Sequence, residues 1–163
     1  MTGLISRLET FLSSYNTHWK DRAAKTQGGC QECKRISDTA PKLCTDNELI
    51  DPRDAFHVAI LLHHDIENKY VIAANELCRY AIARLDNGDK DLQMVRWLYA
   101  ASYDRIFVHD GKPQKLGTQF VRNKDGKFEL ATPIDPATTD EERALYGIPT
   151  TEESLKRLSA PYK

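Results

Sequence analysis

Three short polar groups interrupt otherwise apolar stretches of this chain. They are His63-His64-Asp65, Asp104-Arg105, and the loop "GKPQKLGTQF" at 111–120, which carries Gln114, Thr118 and Gln119 along with Gly111, Pro113 and Gly117. The residue types suit a small polar active site. A histidine is the usual general acid or base near neutral pH. An aspartate can orient it or hold a cation. Arg105 is the natural fork for a carboxylate or phosphate. Gln114, Thr118 and Gln119 can fix a carbonyl or amide.

Each group also has a structural reading. The amide-rich turn could satisfy its own backbone. Asp104 and Arg105 could form an internal ion pair that ties two helices, or a helix and a hairpin, since neither is commonly buried alone. His63 and His64 could be a buried, hydrogen-bonded histidine beside a solvated one. Helical steps of about 100° put His63 on the face of Phe56 and Ile60, and His64 on that of His57 and Leu61. Asp65 points away from His63, so the two converge only where the helix ends near residue 64.

The elements that must position these groups are mostly helices. Leu4, Ile5, Leu8, Leu12, Tyr15 and Trp19 form one apolar stripe, predicting an amphipathic helix over about 3–24. Gly28-Gly29 ends it, and 26–50 reads as a long polar loop. Asp51-Pro52 starts a second helix, with Asp as N-cap and Pro in the first turn. This helix, "PRDAFHVAILLHHDI", is apolar on most sides in its middle, which predicts a central, buried helix. A third, "KYVIAANELCRYAIARLD", stops at Asn87-Gly88. A fourth, "DKDLQMVRWLYAASYDRIFVHD", stops at Gly111. "TQFVR" and "KFELA" flank Asn123-Lys124-Asp125-Gly126, a hairpin signal over about 118–132. Two short helices close the chain, near 138–146 and 151–159, the second capped by Thr150 or Thr151. The fold expected is mainly α: a bundle of about four helices with one small C-terminal β-hairpin and short terminal helices. The 163 residues make one domain, with an N-terminal helix and Cys-containing loop at 1–50 and a motif-bearing core at 51–160.

Composition narrows the function. With 29% charged residues and a net charge of −1, the chain lacks the basic excess of a non-specific nucleic-acid binder. No run of 18 apolar residues predicts a membrane span. The N-terminus lacks a signal-peptide pattern, so a cytoplasmic location with reduced thiols is expected. Cys30-x2-Cys33 has the spacing of half a zinc knuckle, and Cys44 follows at an irregular distance. His57 or Cys78 could complete a site only by folding back, so neither a metal nor another cofactor is expected. Surface thiols, or a disulfide formed on storage, are the simpler readings. "G-x-S-x-G" and Gly-rich nucleotide loops are absent.

The run Asp104-Arg105-Ile106, Gly111-Lys112-Pro113-Gln114 and Gly117-Thr118-Gln119 resembles an uncharacterised bacterial domain-of-unknown-function family. That family has the pattern D-R-[IV]…G-x-P-Q-x-Y-G-T-Q after a helix with a "QHAD"-like motif. "LHHD" at 62–65 is similar to that motif, with His63 and Asp65 matching, and the closing segment after Thr132 also resembles the family's. The resemblance covers roughly 52–158. Leu116 stands in place of the family's Tyr and Leu62 in place of its Gln. The cysteine loop has no counterpart. The resemblance implies that the polar loop and the helix ends form one constellation; it supplies no reaction.

The expectation that follows is a metal-independent enzyme acting on a small-molecule or peptide-like substrate by hydrolysis, cyclisation or isomerisation. His63, Asp65 and Asp104 would be its catalytic residues, and Arg105, Gln114, Thr118 and Gln119 would bind substrate. The alternative is a non-catalytic binding or interaction module in which the same cluster is a structural lock. The absence of an obvious exposed apolar stripe counts against it. A metalloprotein is the weakest of the three.

Overall fold

A computed structural model describes residues 51–65 and 67–159. The expected N-terminal helix, the polar loop and Cys30, Cys33 and Cys44 lie outside the described residues. Three long helices come first: α1 (Pro52–Leu62), α2 (Asn68–Ile82) and α3 (Leu92–His109). A two-stranded antiparallel hairpin follows, β1 (Phe120–Arg122) and β2 (Phe128–Leu130), then α4 (Asp140–Leu145) and α5 (Thr151–Ser159). The fold is mainly α with one small hairpin. None of the described helices is long and apolar enough to cross a membrane.

Local chemistry sets most boundaries. The Asp51 carboxylate caps α1 by accepting from Arg53 N at 2.8 Å, with Pro52 in the first turn. Thr139 caps α4 through Glu142 N, and Thr150 and Glu153 form a reciprocal capping box on α5. In the hairpin, Phe120 pairs with Leu130 and Arg122 with Phe128. Its turn is closed by Asn123 Oδ1, which accepts from Asp125 N and Lys127 N, and by Gly126 at φ 76°.

Two expectations need correction. The third predicted helix ends at Ile82, not at Asn87-Gly88. Ala83 caps it in a right-handed conformation, and the backbone closes through Arg84 N and Leu85 N onto Ala81 O. The middle of the described bundle is α2, not α1: α2 packs along both α1 and α3, which barely touch each other. α2 accordingly buries Tyr70, Val71, Ala74, Cys78 and Ala81. Phe56, Val58, Ala59 and Leu62 of α1, and Val95 and Leu98 of α3, complete this core. Burial raises the Cys78 thiol to about 12.

Two cross-links hold the site-bearing helix in place. Asn75 of α2 donates to Tyr99 O and Ser102 Oγ of α3, satisfying a buried amide between the helices. Along α3, Tyr99, Tyr103 and Phe107 form a ladder at i, i+4 spacing, and Tyr146, just after α4, stacks on Tyr99 at 5.9 Å.

Candidate functional site

Asp104 is fully buried one turn from the end of α3. Its Oδ1 accepts from Lys115 N (2.7 Å) and Leu116 N (2.8 Å). Its Oδ2 accepts from Thr118 N (2.9 Å) and Thr118 Oγ1 (2.8 Å). Four donors thus fill the acceptor capacity of the carboxylate. The loop can wrap the carboxylate this tightly because Gly117 takes φ 71°. A Cβ there would lie 2.3 Å from Ile134 Cδ1 and 2.5 Å from Arg143 Nη1.

Gln114 is also fully buried, and its amide replaces missing sheet partners. Nε2 donates to Gln119 O (3.0 Å) and Thr132 O (2.8 Å), and Oε1 accepts from Gln119 N (2.8 Å). Its backbone forms an isolated parallel bridge with Ile134. One glutamine therefore ties the start of the loop to both ends of the hairpin.

The Gln119 side chain turns back to α3. Nε2 donates to Ala101 O (2.9 Å) and Thr118 Oγ1 (3.1 Å), and Oε1 accepts from Arg105 Nε (3.0 Å). Arg105 Nη1 in turn donates to His63 O (2.5 Å) and His64 Nδ1 (2.7 Å). A continuous hydrogen-bonded network thus runs from the end of α1, through Arg105, Gln119, Thr118 and Asp104, to the backbone at 115–116.

Arg143 of α4 extends it, and sequence reasoning did not single this residue out. It is 2% exposed and donates to Leu116 O and Pro149 O, both at 2.5 Å. Burial lowers its pKa, and Asp140 and Asp104 oppose that shift. The acidic helix "TDEERAL" reads as solvated, so nothing in its sequence marks this arginine as special.

At the end of α1 the two histidines differ in role. The helix stops at Leu62, with His63 as its C-cap in a right-handed conformation. The rings of His63 and His64 lie 3.7 Å apart. His63 Nδ1 is 2.8 Å from Ile60 O; a carbonyl only accepts, so Nδ1 carries the proton and Nε2 the lone pair. His64 Nδ1 faces a guanidinium, which only donates, so its proton sits on Nε2. Burial lowers the His63 pKa to about 4, and the Arg105 charge adds to the fall. Asp65 Oδ1 accepts from Glu67 N at 2.8 Å, closing the turn into α2. Among the described residues, no group of three or more His, Cys, Asp and Glu is gathered as a metal site requires.

A second region adjoins the network. Lys90 just before α3, Gln93, Met94 and Trp97 on one side of it, Gly117, Thr118 and Phe120 of the loop, residues 147–149, and Ser154, Arg157 and Leu158 enclose an open cleft of about 660 Å³. Met94 (57%), Trp97 (40%) and Leu158 (39%) remain exposed in it. Its lining includes Thr118 but not His63, Arg105, Gln114 or Gln119. This apolar surface was missed from sequence. Apolar residues run all round α3, and no periodicity distinguishes those that face α2 from those that do not.

Against family models, curated proteins and solved structures, the chain has no match.

Proposed function

We propose that this domain is a binding module: the polar cluster is its structural lock, and the apolar cleft along α3 is its binding surface. The observation that carries this reading is the hydrogen bonding of Asp104, Gln114 and Gln119. The donors and acceptors that made them candidates for holding a substrate are engaged by the chain's own backbone, Thr118 and Arg105. The cleft has the reverse character, with Trp97, Met94, Phe120, Ile148 and Leu158 around few polar groups. A cleft of this kind, between two helices and a loop, suits an amphipathic helix that lays its apolar stripe into it.

An acid/base enzyme centred on His63 is the second reading, favoured by the lone pair on its Nε2 and by Arg105, which donates to the His63 carbonyl. A pKa of about 4 weighs against it, because proton transfer at neutral pH is most efficient with a base near 7. Urea denaturation of His63→Ala, Arg105→Ala and Gln119→Ala separates the two. A lock loses roughly 1–3 kcal/mol for each stranded partner. Three variants with parental stability would restore the enzyme reading and remove the lock.

A further inference from the structure

We infer that the segment docking in the α3 cleft is an acidic amphipathic helix, whose carboxylates border its apolar stripe and meet Lys90 and Arg157. The inference rests on the reading of the cleft as a binding surface and names the charge of the partner.

The charges that line the cleft are all of one sign. Lys90 and Arg157 are among its lining residues, and no aspartate or glutamate is. Both cations are exposed, and among the described residues neither side chain has an ion pair or a hydrogen bond. The carboxylates nearest to them in sequence are committed elsewhere. Asp89 and Asp91, on either side of Lys90, turn to Arg53: Asp89 pairs with it, and Asp91 lies 3.6 Å from its Nε. Glu153, one turn before Arg157 on α5, accepts from Thr150 N at 3.2 Å. The two cations also stand on different walls, Lys90 at the approach to α3 and Arg157 on α5. Met94, Trp97 and Leu158 are exposed in the same lining. A partner that matches this surface needs apolar side chains for the floor and carboxylates for the walls. A helix with Asp or Glu at the edges of its apolar stripe has both. Apolar contact around Trp97 supplies most of the affinity, while the charges speed encounter and select the partner. A basic helix would set like charge against like. A second copy docked face to face would do the same, since a two-fold contact brings the patch onto itself.

The test uses the full chain and three labelled helical peptides. They share one stripe of Leu and Phe and differ only at its borders, which carry Glu, Gln or Lys. Binding is read by fluorescence anisotropy at low and high salt. The Glu peptide should bind about tenfold tighter than the Lys peptide, with the Gln peptide between them. The preference should shrink in high salt, where exposed charges are screened. Lys90→Glu/Arg157→Glu, at two exposed positions, should reverse the order. Met94→Ala/Trp97→Ala should weaken all three peptides by about tenfold or more. Urea midpoints check that each variant is folded; where the Met94/Trp97 pair lowers the midpoint, Met94→Ala alone is the reporter. Equal binding of the three peptides, weakened by the Met94/Trp97 change, overturns the acidic partner but leaves the cleft as a binding surface. So does an order of affinities unmoved by Lys90→Glu/Arg157→Glu. No binding by any peptide, or binding indifferent to the Met94/Trp97 change, overturns both. Sedimentation of the chain alone tests the remaining occupant: a dimer that Met94→Ala/Trp97→Ala dissociates puts a second copy in the cleft and overturns the inference.

Discussion

Loop 111–119 and the α3 cleft share Gly117 and Thr118, yet they are built on opposite principles. In the loop, a dense set of polar side chains is folded inward and matched to partners. In the cleft, large apolar side chains are left facing outward around few polar atoms. The contrast teaches that a concentration of hydrogen-bonding residues in a sequence need not mark where a ligand sits. Here it marks where the backbone runs out of regular partners. Residues 111–119 form neither a helix nor a named strand, and their buried amides and carbonyls need acceptors and donors from somewhere. Asp104, Gln114, Thr138 and Arg143 supply them.

The sharpest way to break the comparison is Asp104→Ala. It strands three backbone N–H groups and the Thr118 hydroxyl together. A stability loss of at least about 3 kcal/mol in urea is expected, because several buried donors lose a partner at once. A loss below about 1 kcal/mol would mean that the loop has other ways to satisfy itself.

The His63 corner gives the next largest effect, read by pH. Its folded pKa, about 4, lies below the ordinary 6.5, so the folded state favours the neutral ring. Stability from this group is complete above pH 6.5 and is lost as pH falls toward 4, because the unfolded chain takes up the proton first. The loss approaches about 3 kcal/mol, at 1.36 kcal/mol per pKa unit. Urea midpoints measured across that range should fall in the parent and flatten in His63→Gln. An equally steep fall in His63→Gln would assign the effect to other groups.

Gln114→Ala comes next, at roughly 1–3 kcal/mol, since two carbonyls and one N–H lose their partner. Amide hydrogen exchange should quicken at Gln119, whose N–H the Gln114 side chain accepts. The smallest effect belongs to the cleft. Met94→Ala should leave the urea midpoint of the core within about 0.5 kcal/mol of the parent, as exposed positions commonly do. A cost as large as that of Gln114→Ala would erase the distinction between lock and surface.

The sequence made the helical parts legible because their signals are local. Asp51-Pro52, Thr150-x-x-Glu153 and the Asn123–Gly126 turn each act within a few residues, and each appears where expected. The helix predicted to reach Asn87 stops at Ile82 because its end is set by backbone closure onto Ala81 O rather than by a glycine. The central place of α2 was not legible, since it depends on which faces meet. The residues of the site were visible by type, but their use was not. Whether Gln119 Oε1 meets a substrate or Arg105 Nε depends on an approach between residues fourteen apart in sequence. The cleft left the weakest signal, because an outward Trp97 and an inward Leu98 look equally apolar on the page.

Cys78 gives the molecule a built-in clock. Its thiol is fully buried in the middle of α2, and burial raises its pKa to about 12, so it offers almost no thiolate at neutral pH. Alkylation at this position must wait for α2 to leave its neighbours. The labelling rate of one sulfur, followed by mass, therefore times the opening of the helix that joins α1 to α3. Under native conditions, without denaturant, it reports whether a change made in the distant polar loop has loosened the bundle.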